Sequence, residues 1–139
     1  MLPNDFAKVL NQVEGAGILS EDPEDLDRRL TLAIQTAALK TGQRDLGDLG
    51  IGNWILKSRN NLINGLHREL CDSTKGELKE DYADLLNLGM TPEGVTAVSA
   101  VVATVISTIN PAFLVSNVII FLAMWIMKRG LNNWCSLPA

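Results

Sequence analysis

Apolar residues recur at helical spacing through most of the chain. Phe6, Val9, Leu10 and Val13 fall at i, i+3, i+4 and i+7, one face of an amphipathic helix. Asn4 or Asp5 is placed to cap that helix, and Gly15 and Gly17 to end it. A second helix opens at Asp22-Pro23, with Glu24, Asp25 and Asp27 at the positive end of its dipole. Its stripe is Leu26, Leu30, Ala33, Ile34 and Ala37, and Gly42 closes it. The stretch 45–52 is rich in glycine and reads as a hinge at Gly47, Gly50 and Gly52. A third helix is predicted over 54–71, with Ile55, Leu62, Ile63, Leu66 and Leu70 on one side. Thr74 and Glu77 have the spacing of a capping box, which would start a fourth helix carrying Leu78, Tyr82, Leu85 and Leu86 and ending at Gly89.

The pattern then changes. Thr91-Pro92-Glu93 is a fresh helix start, and the 33 residues from 95 to 127 hold no ionisable side chain. Asn110-Pro111 divides this region, because proline is disfavoured inside a helix and favoured at its first position. The expectation is a helical hairpin with arms of 92–109 and 111–128 and a turn at Asn110 and Pro111. A 19-residue window over 109–127 has a mean hydropathy of about +1.9. Each arm would be roughly 26–27 Å long against a hydrocarbon layer of about 30 Å. Ser99, Ala103 and Ser107 form a small-residue row of the kind that lets helices approach closely in a bilayer. Trp125, Lys128, Arg129 and Trp134 read as anchors at a membrane interface. Asn117, alone among apolar neighbours, would seek a partner such as Ser99, Thr104 or its own copy in another subunit, at the hairpin packing or oligomer interface.

The sequence therefore predicts an all-α protein. Residues 1–90 would form an acidic cytoplasmic domain of about four helices, 91–129 an apolar hairpin, and 130–139 a short tail. The leading expectation is a membrane protein with both termini cytoplasmic, whose hairpin anchors, oligomerises or permeabilises while the first domain binds an unidentified protein partner. Membrane lipid and a second copy of the chain are the partners so implied. The alternative is a cytoplasmic, soluble, homo-oligomeric interaction module with the hairpin as its buried core.

Charge sharpens this picture. All sixteen acidic residues and ten of the twelve basic ones precede Gly94, a net −6 there, against −4 for the whole chain of 139 residues. An acidic balance of this kind argues against a nucleic-acid-binding surface. The start of the chain lacks the basic and apolar segments of a secretory signal, so a cytoplasmic N-terminus is expected.

Chemistry-bearing patterns are sparse. His67 and Cys71 lie one helical turn apart, but a structural zinc site needs four ligands and no second His/Cys cluster accompanies them. Cys71 and Cys135 could pair only if the tail folds back, and free thiols are expected in a cytoplasmic chain. The acidic run from Glu21 to Asp27 lacks the glycine turn and final glutamate of a calcium loop, and Glu77, Glu80, Asp81 and Asp84 read as the solvated face of the fourth helix. The glycine-rich joint lacks the Gly-Lys-Ser/Thr of a phosphate loop. No catalytic residues, metal or cofactor are expected, and the protein reads as non-enzymatic.

Overall fold

A computed structural model describes residues 2–40 and 51–137. The described chain is mostly helical. In order it runs through α1 (Phe6–Gly15), a 3-10 turn (Ile18–Ser20), α2 (Pro23–Lys40) and α3 (Ile51–Leu70). Next comes a two-strand ladder, β1 (Cys71–Asp72) with β2 (Glu77–Leu78), and then a 3-10 run (Glu80–Asn87). The chain ends with α4 (Pro92–Ile109), a 3-10 turn (Pro111–Phe113), α5 (Ser116–Arg129) and α6 (Leu131–Cys135).

The central element is α5. Ser116 and every residue from Val118 to Ile126 are buried. That is possible for a helix only when neighbours cover it on all sides. The neighbours are chiefly α2 and α4, with α1 and α6 completing the enclosure. The stripe Leu26, Leu30, Ala33, Ile34 and Ala37 turns inward as the spacing of α2 requires, joined by Ala38. Phe6, Leu10 and Val13 of α1 do the same. The N-terminal helices and the hairpin thus contribute to one continuous hydrophobic core. At 14 residues α5 is about 21 Å long, well short of a hydrocarbon layer. The only helix among the described residues with the length and composition to cross a membrane is α4, and fewer than half of its residues are buried.

Local chemistry departs from expectation at several points. Asp5 precedes α1 but makes no cap; its Oδ1 accepts a 2.6 Å hydrogen bond from Ser116 Oγ, placing a carboxylate at the positive end of α5. Gly17 does end the α1 segment, in the left-handed conformation at φ 74°. The helix expected over 54–71 begins earlier, at Ile51, so Gly52 lies inside α3 rather than in a hinge. Gly42, Gly47 and Gly50 lie outside the described residues. The second hairpin arm starts at Ser116, because Pro111 opens only a 3-10 turn.

The largest departure is the expected fourth helix. Its capping box does not form: Asp72 Oδ1 takes the Thr74 amide at 3.0 Å and the Thr74 hydroxyl at 2.6 Å, which makes a turn instead. These bonds, the hydroxyl's first, hold the Asp72 carboxyl below its usual pKa. Gly76 completes the turn at φ 65°, and Glu77 pairs with Asp72 across the ladder. Beyond β2 the chain winds as a 3-10 run that ends at Asn87, before Gly89.

Candidate functional site

The hairpin and its surroundings are where the sequence placed its functional residues. At the start of α4, Thr91 Oγ1 accepts from the Gly94 amide at 3.1 Å and Pro92 takes the first turn. A Cβ on Gly94 would lie 2.1 Å from the Gly89 carbonyl oxygen, so only glycine lets the incoming loop pass this close. Gly94→Ala is expected to cost about 3 kcal/mol in urea denaturation, because backbone must move. Gly65 is a control. Its added Cβ would meet the Cδ1 tip of Ile109, which can rotate, so Gly65→Ala should cost under about 1 kcal/mol.

The inner face of α4 packs Val95, Val98, Val102, Ala103 and Ile106 into the core. Its outer face presents Ala100, Thr104 and Thr108 to solvent, with Val101 and Ser107 half-buried. No charge lies on this helix beyond Glu93 in its first turn. The hydroxyls are already engaged: Thr104 Oγ1 donates to Ala100 O at 3.0 Å, Ser107 Oγ to Thr104 O at 2.7 Å, and Thr108 Oγ1 to Val105 O at 2.8 Å. Covering this face would therefore strand no hydroxyl proton without an acceptor.

A cleft of about 240 Å³ borders the face, lined by Glu69, Tyr82, Ala100, Val101, Thr104 and Val105. Its rim is a 2.7 Å hydrogen bond from the Tyr82 hydroxyl to Glu69 Oε1. That bond to a carboxylate, aided by burial, pushes the tyrosine pKa up to about 12. A raised acid pKa means the neutral phenol is favoured by folding, so this contribution is complete below pH 10 and fades as pH rises towards 12. Tyr82 is the single tyrosine, so phenolate absorbance reports it alone. The titration midpoint is expected near 12 and should move towards 10 in Glu69→Gln.

The other proposed site residues are dispersed. Ser99 and Ala103 are wholly buried, and Ser99 Oγ is a buried side-chain polar atom with no hydrogen-bond partner. Asn117 is exposed, one residue beyond the Asp5–Ser116 bond, and so does not bond to Ser99 as the sequence suggested. It borders a surface cleft of about 200 Å³ with Val9, Ala33, Lys40 and Leu114. Asn110 and Pro111 do form the turn, where Asn110 Oδ1 accepts from the Ala112 amide at 3.2 Å. Phe113 beyond it packs on Trp54, ring centroids 5.9 Å apart.

Trp125 and Trp134 are both buried within the protein. The guanidinium carbon of Arg129 lies 4.6 Å from the centroid of the Trp125 ring, and that of Arg59 lies 5.7 Å away. Arg59 also pairs with Asp27, tying α3 to α2. Lys128 is half-buried and Arg129 exposed. Three acids of the run at the start of α2, Glu21, Asp25 and Asp27, are engaged in such pairs. Glu21 accepts from Arg29 at 2.6 and 2.7 Å, which lowers its pKa, and Asp25 pairs with Arg28.

Cys71 and Cys135 are joined in a disulfide, contrary to the free thiols expected from the sequence. The tail does fold back, because α6 lays Trp134 against His67. The His67 ring meets the indole edge-on at 5.0 Å, and Nε2 donates to Trp134 O at 3.2 Å. The sulfur one helical turn from His67 is thus committed to the disulfide. No group of three or more His, Cys, Asp or Glu is placed to hold a metal among the described residues.

No family model, curated protein or solved structure matches the chain. The geometry alone carries the functional reading.

Proposed function

We propose that the protein is a non-enzymatic helical interaction module. Its apolar hairpin is the core, and it self-associates through the outer face of α4. The observation that carries this reading is the pairing of an α5 enclosed from Val118 to Ile126 with an α4 left uncovered on one uncharged face. Two copies, each at net −4, repel wherever carboxylates meet. The outer face of α4 has none between Val95 and Ile109, its side chains are small, and its hydroxyls are internally satisfied. These properties favour close helix-to-helix contact with little desolvation cost.

Sedimentation equilibrium of the full chain tests it. Dimers are expected at tens of micromolar, and Thr104→Glu, at an exposed position, should give a folded monomer. A wild type that stays monomeric into the millimolar range would overturn the reading, as would a Thr104→Glu variant that still dimerises. A second reading, a membrane-associated hairpin, draws on the length and apolarity of α4. Flotation with phospholipid vesicles separates the two: the interaction module stays in the aqueous fraction, whereas a membrane hairpin rises with the lipid. The paired cysteines favour an oxidising compartment over the cytoplasm in either case.

A further inference from the structure

We propose that the Cys71–Cys135 disulfide is a redox latch. Oxidised, it holds α6 closed over the end of the bundle; reduced by a dithiol, it lets the segment 131–137 detach while the remaining helices stay folded. This inference stands apart from the self-association above and uses different residues.

The case rests on how little else holds α6. The helix has five residues, far below the length at which a helix persists without tertiary support. Gly130, at φ 82°, separates it from α5, so it does not continue the central helix. Among the described residues its polar attachments to the body are two. His67 Nε2 donates to Trp134 O at 3.2 Å, and the Leu78 amide donates to Asn132 Oδ1 at 3.0 Å. Its apolar attachments are Leu131 and Trp134, both buried. The disulfide adds the covalent hold, from the first residue of β1 to the last residue of α6.

By contrast, the core under α2, α4 and α5 takes only its edge from α6, through Leu131 and Trp134. Its enclosure comes from stripes on long helices, each of 14 to 18 residues. Local opening tracks such differences in anchoring, so the short terminal element is the one freed first. The surface uncovered by detachment is apolar: the indole of Trp134, the side chain of Leu131, and the parts of α5 and β2 on which they pack.

Chemical access also exists. Cys71 and Cys135 are nearly buried, yet both line a cleft of about 330 Å³ shared with His67, Arg68, Ser73 and Ser136. One thiolate of a dithiol attacks a sulfur of the disulfide, forming a mixed disulfide and releasing the other cysteine as a thiolate, which takes up a proton. The second thiol of the reagent, losing its proton, then attacks the mixed disulfide. It releases the remaining cysteine as a thiolate, which takes up that proton, and leaves the reagent as a cyclic disulfide. Two electrons pass from the dithiol to the protein, and no other reactant is needed.

Amide hydrogen exchange on the full chain tests the latch, before and after treatment with dithiothreitol and blocking with iodoacetamide. The Cys71→Ser/Cys135→Ser double variant serves as a second open form that carries no blocking groups. In both open forms the amides of 131–137 are expected to lose protection to within about tenfold of an unstructured peptide. Those of α2 and α5 should remain protected at least a thousandfold. The latch is overturned if 131–137 stays protected more than a hundredfold with the disulfide open, since the non-covalent contacts would then suffice. It is equally overturned if α2 and α5 lose protection together with the tail, since the bond would then be a staple of the whole fold.

Discussion

Leu122→Arg is expected to abolish the folded state, with loss of any cooperative thermal transition by circular dichroism. Leu122 sits in the middle of α5, wholly buried, in a run where every residue from Val118 to Ile126 is enclosed. An arginine there has no route to water and no carboxylate on its helix, so its charge would be buried unpaired. The cost is about 5 kcal/mol or more, comparable to the whole stability of a domain this size. Asn117→Arg, five residues earlier on the same helix, is the matching control. Asn117 is exposed, so the variant should fold and its stability should stay within about 0.5 kcal/mol of the wild type. The contrast between these two substitutions tests enclosure of α5 in aqueous solution. A protein that held α5 in lipid would not discriminate between them in this way.

The second large effect is expected on opening the disulfide. Cys71 and Cys135 are 64 residues apart, and linking them removes freedom from the unfolded chain. A loop of that length is worth about 4 kcal/mol in the chain-entropy account. The double Ser variant should therefore lose about 4 kcal/mol in urea denaturation, which at this chain length lowers the melting temperature by roughly 12–20 °C. The bundle should remain folded at room temperature, because its core is built by the long helices. A loss under about 1 kcal/mol would mean that the unfolded chain already holds these segments together.

Much of this architecture is legible in the residues. Asp22-Pro23 and Thr91-Pro92 mark the starts of α2 and α4, where a proline in the first turn, with a Thr91 cap at α4, acts locally and needs no tertiary context. The buried stripe of α2 is dictated by helical spacing alone. The segment 71–89 was not legible. Its shape depends on a bond between positions far apart in sequence, and on Asp72 taking the hydroxyl that Thr74 would have used as a cap. Nor does hydropathy say what surrounds 95–127. Apolar side chains suit lipid and protein equally, and the distinction lies in whether α1 and α2 turn their stripes onto α5. The average over a window also concealed Asn117. A single polar residue marks an outward-facing position as readily as an interhelical bond, and here it faces out. The signal for His67 was its spacing from Cys71, which did locate a shared site, although its partner is the Trp134 carbonyl rather than a metal.

The link between Cys71 and Cys135 also sets the connectivity of the molecule. It encloses the β1–β2 turn, α4 and α5 within one covalent ring, with α1, α2 and α3 outside it. A protease that cuts once within the ring, for example in the exposed turn between Asp72 and Glu77, breaks the chain without dividing the molecule. The pieces migrate as one species until a reductant is added, and two fragments then separate. A single cut outside the ring leaves two pieces with no covalent link, held by packing alone. Nicking in an oxidising compartment would thus leave the enclosed hairpin bound to its covering helices, and the damage would emerge only when the molecule met reducing conditions.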